Sequence, residues 1–220
     1  MNQVPYKIHQ TNDTDTNFLL YLSGNKSRKY EIYRSISDTK ILPNAFYNDE
    51  DQVIIFTAEK VSTLSAILSK GALTMKNAIN MVSNLSKQIS YLQAHNIAFY
   101  GYNLDDIIVI NETIYIIANT KNMLDIDEGN ECIYFNSPIN QIKFTSPEVI
   151  KLTKLPSNVN YRSSYYSLGA LICFSLLNIN ICSNETNIEK ILEPINYTKM
   201  YWFLKRCFLP KSEERLLLFI

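Results

Sequence analysis

Apolar and polar positions change period along this chain, and the change divides it into a strand-rich beginning and a helical remainder. NFLLYL (17–22) and KYEIYRSI (29–36) are aromatic and β-branched runs flanking the turn-forming SGNKS, which predicts a β-hairpin. QVIIFTAE (52–59) reads as a third strand, and the segment before it holds Pro43 and Asn without a helical stripe. From Thr74, a good N-cap, Ala78, Val82, Leu85, Ile89 and Leu92 recur at spacings of four and three. Those residues share one face of a helix of about six turns, so the helix must pack against a core.

Two short strands follow, IIVI (107–110) and TIYIIA (113–118), joined by Asn111-Glu112 as a tight turn. Beyond them lies a loop of roughly 25 residues, long enough to be functional or flexible. It ends at SPEVI (146–150). An apolar helix then begins near Ser163, followed by a polar stretch with Asn184 and Asn187 and a helical region broken at Pro194. The expected class is α+β, with a reduced β-rich part over 1–60 and a mainly helical part over 61–220.

Composition narrows the function classes. The 220 residues are 46% hydrophobic, enough for a sizeable core. Lys and Arg number 21 against 21 Asp and Glu, so no global field draws the chain to nucleic acid or an anionic membrane. The most apolar run, LGALICFSLL (168–177), is about half of a bilayer span and predicts a buried helix without membrane insertion. MNQVPYKIHQ lacks the basic-then-apolar pattern of a signal peptide, so the expected setting is cytoplasmic, with free thiols. Cys132, Cys173, Cys182 and Cys207 are widely spaced and have only His9 and His95 as imidazole companions, a poor basis for a zinc site.

Several local motifs bear a family resemblance. F-T-S-P-E-V-I at 144–150, Y-Y-S-L-G-A-L-I at 165–172, the hinge-like VIIFTAEKVSTLSAIL (53–68) and K-S-E-E-R-L-L-L (211–218) together resemble the eukaryotic protein kinase superfamily. Ser146-Pro147-Glu148 resembles the A-P-E that closes the activation segment, and S-Y-Y-S-L-G resembles D-V-W-S-L-G. The resemblance implies a two-lobed protein-kinase-like fold, with a reduced N-lobe over 1–60 and a helical C-lobe over 61–220. It makes Pro147, Glu148, Gly169 and Arg215 structural residues, and pairs Glu148 with Arg215 as a buried ion pair.

Phosphoryl transfer needs phosphates cradled and metal held, and the residues for this are replaced. HQTNDTDTNF (9–18) has no glycine where a glycine-rich loop would lie, and Asp13 and Asp15 would repel phosphate. In Y-E-I-Y-R, read as a strand, Tyr33 takes the lysine position and Arg34 points to the opposite face. Roughly 16 residues separate that strand from the next, and a three-turn helix would take about 11 of them, so no helix is expected between them. Phe99-Tyr100-Gly101 replaces H-R-D, which leaves Gly101 without a side chain to accept a proton. Asn103 stands for a phosphate-steadying lysine, Asp106 for the metal-binding asparagine, and Ala118-Asn119-Thr120 for D-F-G.

Asp105 and Asp106 are the remaining candidates for a metal, but adjacent carboxylates at a strand entry diverge, and magnesium sites usually add substrate phosphates. Asp106 is expected instead to cap backbone amides. Asp127 and Glu128 read as solvated, and Tyr165, Tyr166 and Trp202 as packing aromatics rather than a ligand box. The sequence therefore points to a catalytically inactive, kinase-like (pseudokinase) domain with no cofactor, acting as a regulatory module on a protein partner such as a true kinase. A vague further likeness leads to the pseudokinases of membrane trafficking. The alternatives are a divergent kinase or nucleotide-binding protein, and an unrelated α+β interaction module. The Asn, Ile, Lys and Tyr bias is that of a compact AT-rich genome, such as that of a virus or an intracellular parasite.

Overall fold

The computed structural model describes residues 5–11, 16–139, 142–181 and 187–220. Asp13, Asp15, Cys182 and Asn184 lie outside them. The chain is mixed α+β. Its first sheet is antiparallel throughout, in the order β1-β2-β4-β3, built from β1 (Tyr6–Gln10), β2 (Asn17–Leu22), β3 (Phe46–Asn48) and β4 (Val53–Thr57). In β2, Phe18, Leu20 and Leu22 are buried and the alternate residues are not, as a sheet covered on one face requires.

Between β2 and β3 runs α1 (Lys26–Asp38), which corrects the expected strand over 29–36. Tyr30 and Ile32 alternate as in a strand, but Ile32, Tyr33 and Ile36 share a helical face, and those three are buried. Asn25 starts the helix by accepting a hydrogen bond from the Ser27 N–H at 2.8 Å. The expectation of no helix before β3 falls with the strand, because the strand had used up the residues the helix occupies. Tyr33 is therefore helical rather than on a strand. Its hydroxyl accepts from the Leu22 N–H (2.8 Å) and donates to the Gln52 carbonyl (2.7 Å), fastening α1 to β2 and to the β3–β4 turn. Arg34 lies outward on α1, paired with Asp38 at 2.8 Å.

After the first sheet come β5 (Val61–Thr63), α2 (Leu64–Leu68) and α3 (Met75–Ala94), followed by β6 (Ile97–Phe99), β7 (Gly101–Tyr102), β8 (Ile107–Ile110) and β9 (Ile114–Ile117). Thr74 caps α3 by accepting from the Asn77 N–H, and the five stripe residues are all buried. Asn111, Glu112 and Thr113 join β8 to β9, one residue more than expected; Asn111 and Glu112 have the left-handed φ of 49° and 60°, and the Thr113 N–H donates to the Ile110 carbonyl.

The expected long loop carries three short strands. β10 (Met123–Asp127) pairs with β6, β11 (Cys132–Phe135) pairs with β10 and with β13 (Ser157–Asn160), and β12 (Phe144–Thr145) pairs with β7. Ile133, Phe135 and Val159 from these strands form a small second core with Ala98, Tyr100, Ile142 and Val149. α4 (Pro147–Ile150) separates β12 from β13.

α5 (Ser163–Leu177) is buried on nearly every side, as its apolar run requires. α6 (Ile188–Leu192) and α7 (Lys199–Cys207) are separated by a 3₁₀ turn over Glu193–Ile195, where Pro194 breaks the helix. The main core is continuous from Tyr6 in β1 to Phe208 beyond α7, so the β-rich and helical parts share it. No helix among the described residues is long and apolar enough to cross a membrane. Cys132, Cys173 and Cys207 are free thiols.

Candidate functional site

The β8–β9 hairpin brings its two polar ends together. With Ile107 opposite Ile117, the residues just before β8 meet those just after β9, and the Ala118 N–H donates to the Asp106 carbonyl at 2.8 Å. A 3₁₀ turn over Leu104–Asp106 then directs the Asp106 side chain inward, only 4% exposed, while Asp105 is exposed. The two carboxylates diverge and share no site.

Asp106 sits in a cage of N–H donors. Its Oδ1 accepts from Asn119 Nδ2 at 2.7 Å, and its Oδ2 accepts from the Asn103 backbone N–H at 2.7 Å and from Asn122 Nδ2 at 3.2 Å. No ion pair reaches it among the described residues. Burial raises its carboxyl above the ordinary aspartate value; bonds from Asn103 and Asn119 oppose the shift, and the charge of Asp105 adds to it. Tyr6 lies in the same field. Burial first, then the two carboxylates, push its phenol up to about 12.

Asn119, and not the wholly buried Ala118, is the residue whose side chain faces Asp106. The Lys121 N–H donates to Asn119 Oδ1 at 2.8 Å, which fixes the amide with its nitrogen toward Asp106. Next to it, the Thr120 hydroxyl donates to the Ser23 carbonyl at 2.7 Å. Gly24, with φ of 116°, makes that seat possible, because a Cβ there would lie 2.3 Å from Thr120 Oγ1. The entry turn of α1 thus rests on the end of the hairpin.

Gly101 has no room for a side chain. A Cβ would stand 2.9 Å from the Phe144 carbonyl oxygen and 3.0 Å from Thr145 Oγ1, across the β7–β12 pairing. In the hinge-like segment, the Ala58 N–H donates to the Thr16 carbonyl at 2.7 Å. The Glu59 and Lys60 N–H groups both donate to Asn111 Oδ1, at 2.9 and 3.1 Å. Those donors are already used within the protein.

The structural residues come together elsewhere. Arg215, 1% exposed, meets Glu148 through Nη2–Oε1 at 2.5 Å and Nη1–Oε2 at 3.1 Å, while its Nε donates to the Leu209 carbonyl. Burial works to raise the Glu148 carboxyl, and the Arg215 guanidinium more than offsets it, so its pKa lies below the ordinary value. Pro147 opens α4 behind the Ser146 N-cap. Gly169 permits α5 and α7 to approach, since a Cβ there would lie 2.8 Å from Cys207 Cβ.

Tyr165 and Tyr166 are buried, the former donating to Gln93 Oε1 at 2.8 Å. Trp202 is 49% exposed and not a core aromatic, because α7 turns that face outward. Asp127 accepts from the Gly129 N–H and from Asn130 Nδ2 at the β10–β11 turn. Among the described residues no three His, Cys, Asp or Glu gather as a metal site. Two clefts open away from Asp106. One of about 390 Å³ includes Asn25, Arg28, His95 and Asp125, and one of about 410 Å³ includes Lys7, His9, Tyr21 and Leu22.

Sequence reasoning missed the cage residues Asn119 and Asn122 as partners of Asp106. The available signal was the hairpin itself, whose short turn limits which polar ends face each other. No protein-family model matches the chain, and no curated protein matches it.

Proposed function

We propose that this protein is a catalytically inactive, protein-kinase-like domain that acts inside a cell by binding another protein. In this reading the first sheet and α1 form a reduced N-lobe over 1–60, and the remainder forms a helical C-lobe over 61–220. The α1 helix supports it by removing an objection raised by the sequence, which had left no place for a helix ahead of β3. The Glu148–Arg215 pair supports it as architecture without chemistry.

The observation that carries the inactive reading is the Asp106 cage. Magnesium with a nucleotide needs carboxylate oxygens free to coordinate, whereas both oxygens of Asp106 already accept N–H bonds in a buried site. Gly101 offers no base. Asn119 could serve a metal only through its amide oxygen, which is held by the Lys121 N–H. A ligand lying along the hinge-like segment would also have to displace Thr16 and Asn111 from its N–H groups. The partner class we favour is a true kinase, on the likeness of fold alone.

Purified protein with ATP and magnesium or manganese tests the reading. No phosphotransfer and no thermal shift at millimolar nucleotide are expected. Magnesium-dependent ATP turnover abolished by Asp106→Ala would overturn it in favour of a divergent enzyme.

A further inference from the structure

The first sheet ends at β1, which pairs on one side with β2. The Ser23 N–H donates to the Pro5 carbonyl and the Thr11 N–H to the Asn17 carbonyl, so in the register Lys7↔Tyr21 and His9↔Leu19 the odd-numbered residues of β1 bond to β2. The even-numbered ones point their backbone groups away from it. Ile8, at the middle of the strand, therefore presents its N–H and C=O to the outer edge, and among the described residues no β-strand pairs there.

Side chains on the two faces of that edge differ. Ile8 is half-buried against the main core on the inner face. On the outer face Lys7 and His9 are exposed and make no ion pair among the described residues, with the His9 ring edge-on to Tyr21. The 410 Å³ cleft opens beside them. The outer face continues as a cross-strand row, His9–Leu19–Ile55–Phe46, ending in a Phe46 that is 64% exposed.

We infer that the open edge of β1 takes an extended segment of a partner protein as a fifth strand, with an apolar residue opposite Ile8 and acidic residues opposite Lys7 and His9. Unpaired ladder groups are satisfied in register by another strand, and alternating side chains set its choice. The cationic and imidazole side chains on the outer face favour carboxylates across the new pairing. A second copy of this edge fits less well, because antiparallel pairing centred on Ile8 sets Lys7 against His9 of that copy. The inference rests on the protein-binding reading, and not on the kinase likeness.

The test uses the full chain and the peptide acetyl-Thr-Glu-Val-Glu-Val-Glu-Thr-amide, with a counterpart in which Lys replaces Glu. Residue-resolved amide exchange is read at Ile8. In the free protein Ile8 is expected to exchange faster than Lys7 and His9, and saturation with the acidic peptide to slow it at least about tenfold. The basic peptide should bind about threefold or more weakly, and Lys7→Glu, an exposed change, should reverse the preference. The inference is overturned if Ile8 stays fast at millimolar acidic peptide, if it is already slow in dilute free protein, or if its protection grows with protein concentration alone. An unchanged preference in Lys7→Glu would overturn the acidic partner. ATP turnover in the earlier assay would remove the inactive reading while leaving this result intact.

Discussion

Two carboxylates, Glu148, which is partly exposed, and Asp106, which is buried, are satisfied in opposite ways. Glu148 meets a guanidinium 67 residues away in sequence that is itself 1% exposed. Asp106 meets only amides, from residues within 16 positions of it. A cation partner lowers the carboxyl pKa, whereas amides without a cation leave burial in control and the pKa raised. The contrast teaches that a buried acid can persist for geometry alone. At Glu148 charge holds the segment after α7 against α4, and at Asp106 acceptor geometry holds one hairpin end closed.

The largest test of that contrast is Glu148→Ala, which strands a guanidinium with almost no access to water. It should lower unfolding free energy by about 3–5 kcal/mol in urea titration. Arg215→Met should be milder, about 2 kcal/mol, because the Glu148 side chain is 27% exposed and water can reach it. Equal losses in the two variants would refute the asymmetry.

Next in size is Asp106→Asn. One of its oxygens becomes an N–H₂ facing another donor, so about 1–3 kcal/mol should be lost, with slower-melting contacts elsewhere unchanged. A neutral outcome would mean that the cage rearranges and holds nothing in place.

Acid titration separates the two by sign. Glu148 has a folded pKa below its ordinary 4.5, so its contribution is present above that value and fades as pH falls through the folded pKa. Asp106 has a folded pKa above its ordinary 3.8, so its contribution is present below that value and fades as pH rises through the folded pKa. Glu148→Gln should therefore flatten the acid limb of the stability curve, and Asp106→Asn should steepen it. Both limbs can be followed by urea unfolding at stepped acidic pH.

The smallest effect belongs to the neighbour. Asp105→Asn, at an exposed position, should change stability by less than about 0.5 kcal/mol, so that two adjacent aspartates differ severalfold in consequence.

Local signals carried much of the fold. Thr74 and its stripe, the Asn111-Glu112 turn and the apolar α5 were legible because each is decided by neighbours in sequence. α1 was not, since Tyr30 and Ile32 alternate while Ile32, Tyr33 and Ile36 form a helical face, and only the Asn25 cap and the packing of Tyr33 choose between them. β10 and β11 pair with each other, but their other partners β6 and β13 lie far along the chain, and strands this short gain their pattern from pairing. At the candidate site, the capping of a backbone amide by Asp106 could be read from the sequence, but the side-chain amides around it depend on the β8–β9 register and on Asn122 reaching back to Gly101.

Gly101 limits which side chains this position can accept. The obstacle at that position is the main chain of Phe144, which no mutation of a neighbouring side chain removes. A substitution that installed a carboxylate there would have to part β7 from β12 at the same time. A carboxylate at this place therefore needs a rearranged backbone and not a side-chain change alone.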